Sequence, residues 1–113
     1  MRNGFDEVIH PLNRLQICAM LSRVESLSFA AVRDGLAVSD SVLSKQLKVL
    51  QEAGYVTLRK ESLNSRIHAW VALTPLGRTV FAAHMAELRR VADEAVTEEW
   101  VTGGRPPLGH ASG

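Results

Sequence analysis

Between Ser39 and Leu73 the hydrophobic period changes once, from helical to extended, and Gly54 marks the change. Leu43, Leu47 and Leu50 recur at four and three residues, which puts one apolar stripe on a helix running from about Ser39 to Ala53. After Gly54, a residue that ends helices cheaply in the left-handed conformation, Tyr55 to Lys60 alternates apolar and polar with Val56 and Leu58 inward. Ile67, Ala69, Val71 and Leu73 then repeat the alternation in a second run. A helix followed directly by two short strands is neither an all-helical bundle nor a sandwich. The segment predicts a helix leading into a hairpin, with Leu63-Asn64-Ser65-Arg66 as its polar turn and a loop of about four to six residues.

The flanks complete the arrangement. His10 to Leu21 is expected as a helix, with Pro11 at the first position, where its missing N–H costs nothing, and Leu15 or Ile17, Cys18 and Leu21 on one face. Ser26-Leu27 is a short extended link, and Ser28 caps a second helix from Phe29 to Leu36 that Gly35 is expected to end early. Ala37-Val38-Ser39 is a tight connection to the third helix, with Ser39 or Asp40 as its cap. Thr74-Pro75 has the hydroxyl and proline of a helix start, and the last helix is read from Pro75 to about Trp100. The order helix–helix–helix–hairpin–helix is a helix-turn-helix followed by a wing, so the fold class is mainly α with a small β-hairpin: a winged helix. Residues 5–100 are assigned to that domain and the Gly/Pro-rich 101–113 to a disordered tail.

Composition removes other classes. In 113 residues with 46% hydrophobic and 22% charged side chains, one compact domain fits and two do not. No apolar run approaches the roughly 18 residues of a membrane span, so no membrane partner is expected. No secretory signal is visible at the start, and the lone Cys18 fits a reducing, cytoplasmic setting. The formal charge of +1 conceals an asymmetry. Residues 40–78 carry Lys45, Lys48, Arg59, Lys60, Arg66 and Arg78 against Asp40, Glu52 and Glu61, whereas the last third is acidic.

A recognition helix enters the major groove with its N-terminal half against the bases. Here those positions are Ser39, Ser41, Val42, Ser44, Lys45 and Lys48, with Arg59, Lys60 and Arg66 on the wing. Serines donate to phosphates or bases at close approach, Val42 fits a thymine methyl, Lys45 reaches guanine or phosphate, and Lys48 a phosphate. Ser44 also suits a helix-packing site. Phe81, Met85, Leu88, Ala92 and Ala95 form a heptad-like stripe on the last helix. It reads as the inside of a monomer or as a dimer seam completed by the first helix through Leu15, and the helix length favours the seam.

Other candidates are weaker. No nucleophile elbow, zinc-protease motif or phosphate loop is present, so no enzyme and no cofactor are expected. His10, His68, His84 and His110 lack metal-ligand spacing, so no metal is expected either. Cys18 on an apolar face reads as a core residue rather than a redox sensor. Arg78 is open between a structural partner and a phosphate contact. Trp70 and Trp100 read as core or interface anchors. Room is left for an unidentified small-molecule effector between the long helix and the first, although no polar groups converge there in the sequence.

Three stretches carry a family resemblance: Arg14-Leu15-Gln16-Ile17, the run from Val42 through Glu52-Ala53-Gly54-Tyr55-Val56, and Leu73-Thr74-Pro75-Leu76-Gly77-Arg78. Over about residues 8–95 the chain resembles winged-helix transcriptional regulators of the MarR/ArsR type, in a short variant with a C-terminal dimerisation helix. The resemblance implies a cytoplasmic homodimer acting on double-stranded DNA at a pseudo-palindromic operator, as a repressor. The Cys-x-Cys of ArsR metal sensors is absent, so no metal sensing is implied. The alternative is a winged helix that serves as a protein-interaction module without specific DNA binding.

Overall fold

The computed structural model describes residues 4–97. Its elements are α1 (Leu12–Leu21), β1 (Leu27–Ser28), α2 (Phe29–Leu36), α3 (Asp40–Glu52), β2 (Val56–Leu63), β3 (Arg66–Leu73) and α4 (Pro75–Thr97). The three strands form one antiparallel sheet in the order β1-β3-β2. This is the winged helix that the change of period implies. The readings of Glu98 to Trp100 as helix and of 101–113 as a tail lie outside the described residues.

The core joins the apolar faces of every element. Ile17, Cys18 and Leu21 of α1, Val32 of α2, and Leu43, Leu47 and Leu50 of α3 are buried with Val56, Val71 and Leu73 of the sheet. Val71 lies opposite Leu58 on one side and Leu27 on the other, so β3 is the centre of the sheet and carries its inward residues into the helices. Ser28 caps α2 by accepting from the Ala31 N–H, and Ser39 caps α3 by accepting from the Val42 N–H. Thr74 does both jobs at the start of α4. Its hydroxyl accepts from the Gly77 N–H at 2.9 Å and donates to the Gly54 carbonyl at 2.7 Å, which ties α4 to the end of α3.

Three local features differ from expectation. Pro11 is the residue before α1 rather than its first. Gly35 does not end α2, which continues to Leu36 and closes on Ala37 in the left-handed conformation at φ 58°. Gly35 instead admits Met20, whose Cε would lie 2.5 Å from a Cβ there. The hairpin is also longer and its loop shorter. Asn64 and Ser65, at φ 52° and 63°, make a two-residue turn of the primed kind, and the ladder runs out to Leu63 opposite Arg66.

Candidate nucleic-acid interface

An ion pair spans the helix-turn-helix at its N-terminal side. The Arg33 guanidinium of α2 donates to Asp34 and, across the turn, to Asp40 at the start of α3, both at 2.9 Å. This clamp bridges the turn between α2 and α3 at the surface, and it pairs an acidic group beside the serines. The sequence reading missed it. The signal was present as an Arg seven residues before a helix-starting Asp. From the other side, Arg14 of α1 donates to the Gln46 side chain at 2.8 Å.

Between these supports, Ser41, Val42, Ser44, Lys45 and Lys48 are all exposed. Ser41, Ser44, Lys45 and Lys48 lie at intervals of three, one and three, which places them on one stripe opposite the buried leucines. Ser44 is exposed, so its alternative as a helix-packing site falls away. Of the two parts expected of Ser39, cap and DNA contact, the structure shows the cap. The Ser39 hydroxyl is engaged in this way and lies 3.3 Å from that of Ser41. Removing the cap should cost about 1 kcal/mol. A Ser39→Ala variant is therefore expected to show a lower midpoint in urea with an unchanged slope.

The wing does not gather its basic residues on one face. Strand alternation and register put Arg59 (opposite Trp70) and Arg66 (opposite Leu63) on the outer face, and Lys60 (opposite Ala69) on the core side. Arg59 is also 4.0 Å from Glu61. Arg66 at the tip is exposed, flanked by the exposed Leu63 and Ile67. Arg78 is settled as structural: it donates to the Ser22 and Val24 carbonyls and pins the loop after α1.

The positions read as a dimer seam divide. Leu15 and Phe81 are half-buried against this chain's own core. Met85, Leu88 and Ala95 are half-buried and Ala92 is exposed. Leu12, at 67% exposure, and Val91, at 44%, are the large apolar side chains left open on α1 and the outer part of α4.

The sequence reading placed no polar convergence between α1 and α4, and the structure corrects this. A cleft lined by Phe5, Glu7, Pro11, Leu88 and Val91 also presents Asp6, His10 and His84. His84 is completely buried. The N-terminal segment carries Asp6 and His10 across α4, so residues 74 and more apart in sequence meet. Among the described residues, no three or more metal-ligating side chains converge.

Cys18 is buried, and burial, with Asp6 nearby, pushes its thiol up to about 12. A thiol held protonated is a poor nucleophile. Iodoacetamide at neutral pH is expected to leave Cys18 unmodified in the native protein and to alkylate it in urea. Native-state alkylation at the unfolded rate would contradict this.

A family model described as "Winged helix DNA-binding domain" matches residues 13–92. The chain belongs to this family. This winged-helix DNA-binding protein is 26% identical over 86 residues to the uncharacterized protein MJ0432 of Methanocaldococcus jannaschii, spanning 76% of this chain and 94% of that one. Its fold matches a transcriptional regulator homologue from Pyrococcus horikoshii OT3 with a TM-score of 0.75 and 21% identity, over 80% of this chain and 89% of that one. A MarR-family transcriptional regulator from Silicibacter pomeroyi is 27% identical with a TM-score of 0.60, over 81% of this chain and 61% of its own. The protein is a DNA-binding regulator with the MarR-type winged-helix fold, and its family is not one of enzymes. Among the described residues, no helix is long and apolar enough to cross a membrane.

Proposed function

We propose that the protein is a homodimeric repressor that occupies a pseudo-palindromic operator. The observation that carries this reading is the stripe of Ser41, Ser44, Lys45 and Lys48, exposed on a helix whose start is clamped by Arg33 and capped by Ser39. In each protomer α3 lies in the major groove, with Lys45 and Val42 toward the bases and Lys48 on phosphate. Arg66 at the wing tip meets the backbone, and Arg59 and Lys60 contribute from opposite faces of the hairpin. Residues 5–100 are the functional unit.

The dimer forms along α4, which at 23 residues is about 35 Å long and runs past the core it helps to cover. Met85, Leu88, Ala92 and Ala95 supply its seam together with the exposed Leu12 and Val91. Leu15 and Phe81 support it from beneath. Two recognition helices then stand about 34 Å apart, one turn of duplex.

The test is to incubate the full chain with fragments of its source genome and to recover bound DNA across a salt series. The expected result is enrichment of a few fragments, with affinity falling steeply as salt rises. Equal retention of all fragments, or of none, would remove the sequence-specific reading in favour of a module for an acidic protein partner.

A further inference from the structure

The histidine pair beneath the N-terminal segment has only one arrangement of protons that satisfies it. The Asp6 backbone N–H donates to His84 Nδ1 at 3.0 Å, so that nitrogen carries no proton. A neutral His84 must then hold its proton on Nε2, from which it donates to His10 Nδ1 at 3.2 Å. Phe5 closes over both rings edge-on, at 5.5 Å from His84 and 6.3 Å from His10.

One added proton breaks this order. On His84 it can sit only at Nδ1, facing the Asp6 N–H. On His10 it sits at Nδ1, facing the proton of His84. Shifting the proton of His84 to Nδ1 merely moves the collision back to Asp6. We propose that His10 and His84 form a proton-operated latch, which holds residues 4–10 across α4 while both rings are neutral and releases them when either is charged.

The segment is well placed to pass that release on. The Asp6 carboxylate accepts from the Tyr55 hydroxyl at 2.6 Å, just beyond the end of α3. The Val8 carbonyl accepts from Arg14, which also holds Gln46 of α3. The latch therefore ties α4 to the recognition helix. On the dimeric DNA-binding reading, on which this half of the inference rests, α4 sets the separation of the two recognition helices. Release in acid then loosens the grip on DNA.

The charged and titratable groups around the pair are Asp6 and Glu7 of the segment, Arg14 and Cys18 of α1, Tyr55 at the start of the sheet, and Glu87 of α4, whose Cγ lies close beside Gly4. Burial lowers the pKa of His84, and the neighbouring His10 lowers it further against an opposing pull from Asp6. An unfolded histidine takes its proton near pH 6.5. The latch therefore contributes fully above about pH 6.5, and its contribution falls as the pH drops below that value.

Hydrogen exchange at the Asp6, Val8, Ile9 and His10 amides reads the latch without DNA, since all four are bonded within the segment or to His84. Corrected for intrinsic rates, their protection is expected to fall about tenfold between pH about 7.5 and about 5.5 in the wild type. In His84→Asn, which keeps an acceptor for Asp6, cannot titrate and is too short to set a donor against His10 Nδ1, so that a charge on His10 meets no opposing proton, protection is expected to stay level. No loss in the wild type, or an equal loss in the variant, overturns the latch.

Should His84→Asn fail to fold, nitrogen NMR of the wild-type imidazoles decides. His84 protonated on Nε2 at neutral pH supports the latch, and on Nδ1 it overturns it. For the coupling, a genomic fragment retained at pH about 7.5 is titrated at both pH values. Wild type is expected to lose about tenfold more affinity than His84→Asn, and equal losses overturn the coupling. Retention of no fragment even at the higher pH would refute the DNA-binding reading, leaving the amides to decide the latch alone.

Discussion

A Gly77→Ala substitution is expected to lower the melting temperature by on the order of 15 °C, the largest loss expected from a methyl at any glycine among the described residues. Gly77 lies in the first turn of α4, where its N–H is bonded to the Thr74 cap. A Cβ there would run into the Tyr55 carbonyl oxygen, with the carbonyl carbon at 2.9 Å and Leu73 Cδ2 at 3.1 Å. Backbone cannot yield as a side chain does, and the Tyr55 carbonyl already accepts from the Thr74 N–H at 3.0 Å. The helix must move off the sheet or lose its cap, at a cost of about 3 kcal/mol. Calorimetry checks this. A fall of less than about 3 °C would mean that α4 does not start this close to β2.

Replacing Lys45 and Lys48 together by alanine is expected to weaken binding to a selected genomic fragment roughly 100-fold while leaving the fold unchanged. Both side chains are exposed and neither is needed by the core. On the proposed homodimer the loss is large because the double substitution removes four cations from the groove at once. The two should separate by salt and sequence. Lys48 alone, on phosphate, should reduce affinity for all sequences alike and flatten the salt slope, whereas Lys45 alone should relax preference at one base position. Circular dichroism confirms that the variant is folded, and equilibrium titration reads the affinity. Unchanged affinity in a folded double variant would place the DNA elsewhere.

The element order and most of the core were legible because each rests on a local period: leucines three and four apart in α3, alternation in the strands, hydroxyl and proline at the start of α4. The left-handed Ala37 was not, since nothing local favours alanine there and the connection to α3 imposes it. The two-residue wing turn was misjudged because Leu63 and Arg66 look like turn flanks when they are the last ladder pair.

The candidate face was legible as an exposed stripe on α3, but the clamp from Arg33 and the split of Arg59 and Lys60 between two faces depend on tertiary geometry and strand register. His84 was the larger omission. It stands three residues after Phe81 and four before Leu88, on the same face as the apolar stripe, and that spacing alone marked it for burial. Its partners could not be read, because Asp6 and His10 reach it only through the packing of the N-terminal segment on α4.

A hydroxyl-radical footprint of the full chain on one selected genomic fragment tests the central claim most directly. Two protected patches related by a dyad, with centres about one helical turn apart, are the expected result. A single patch, or protection that follows no sequence, would contradict a homodimer reading its operator through α3.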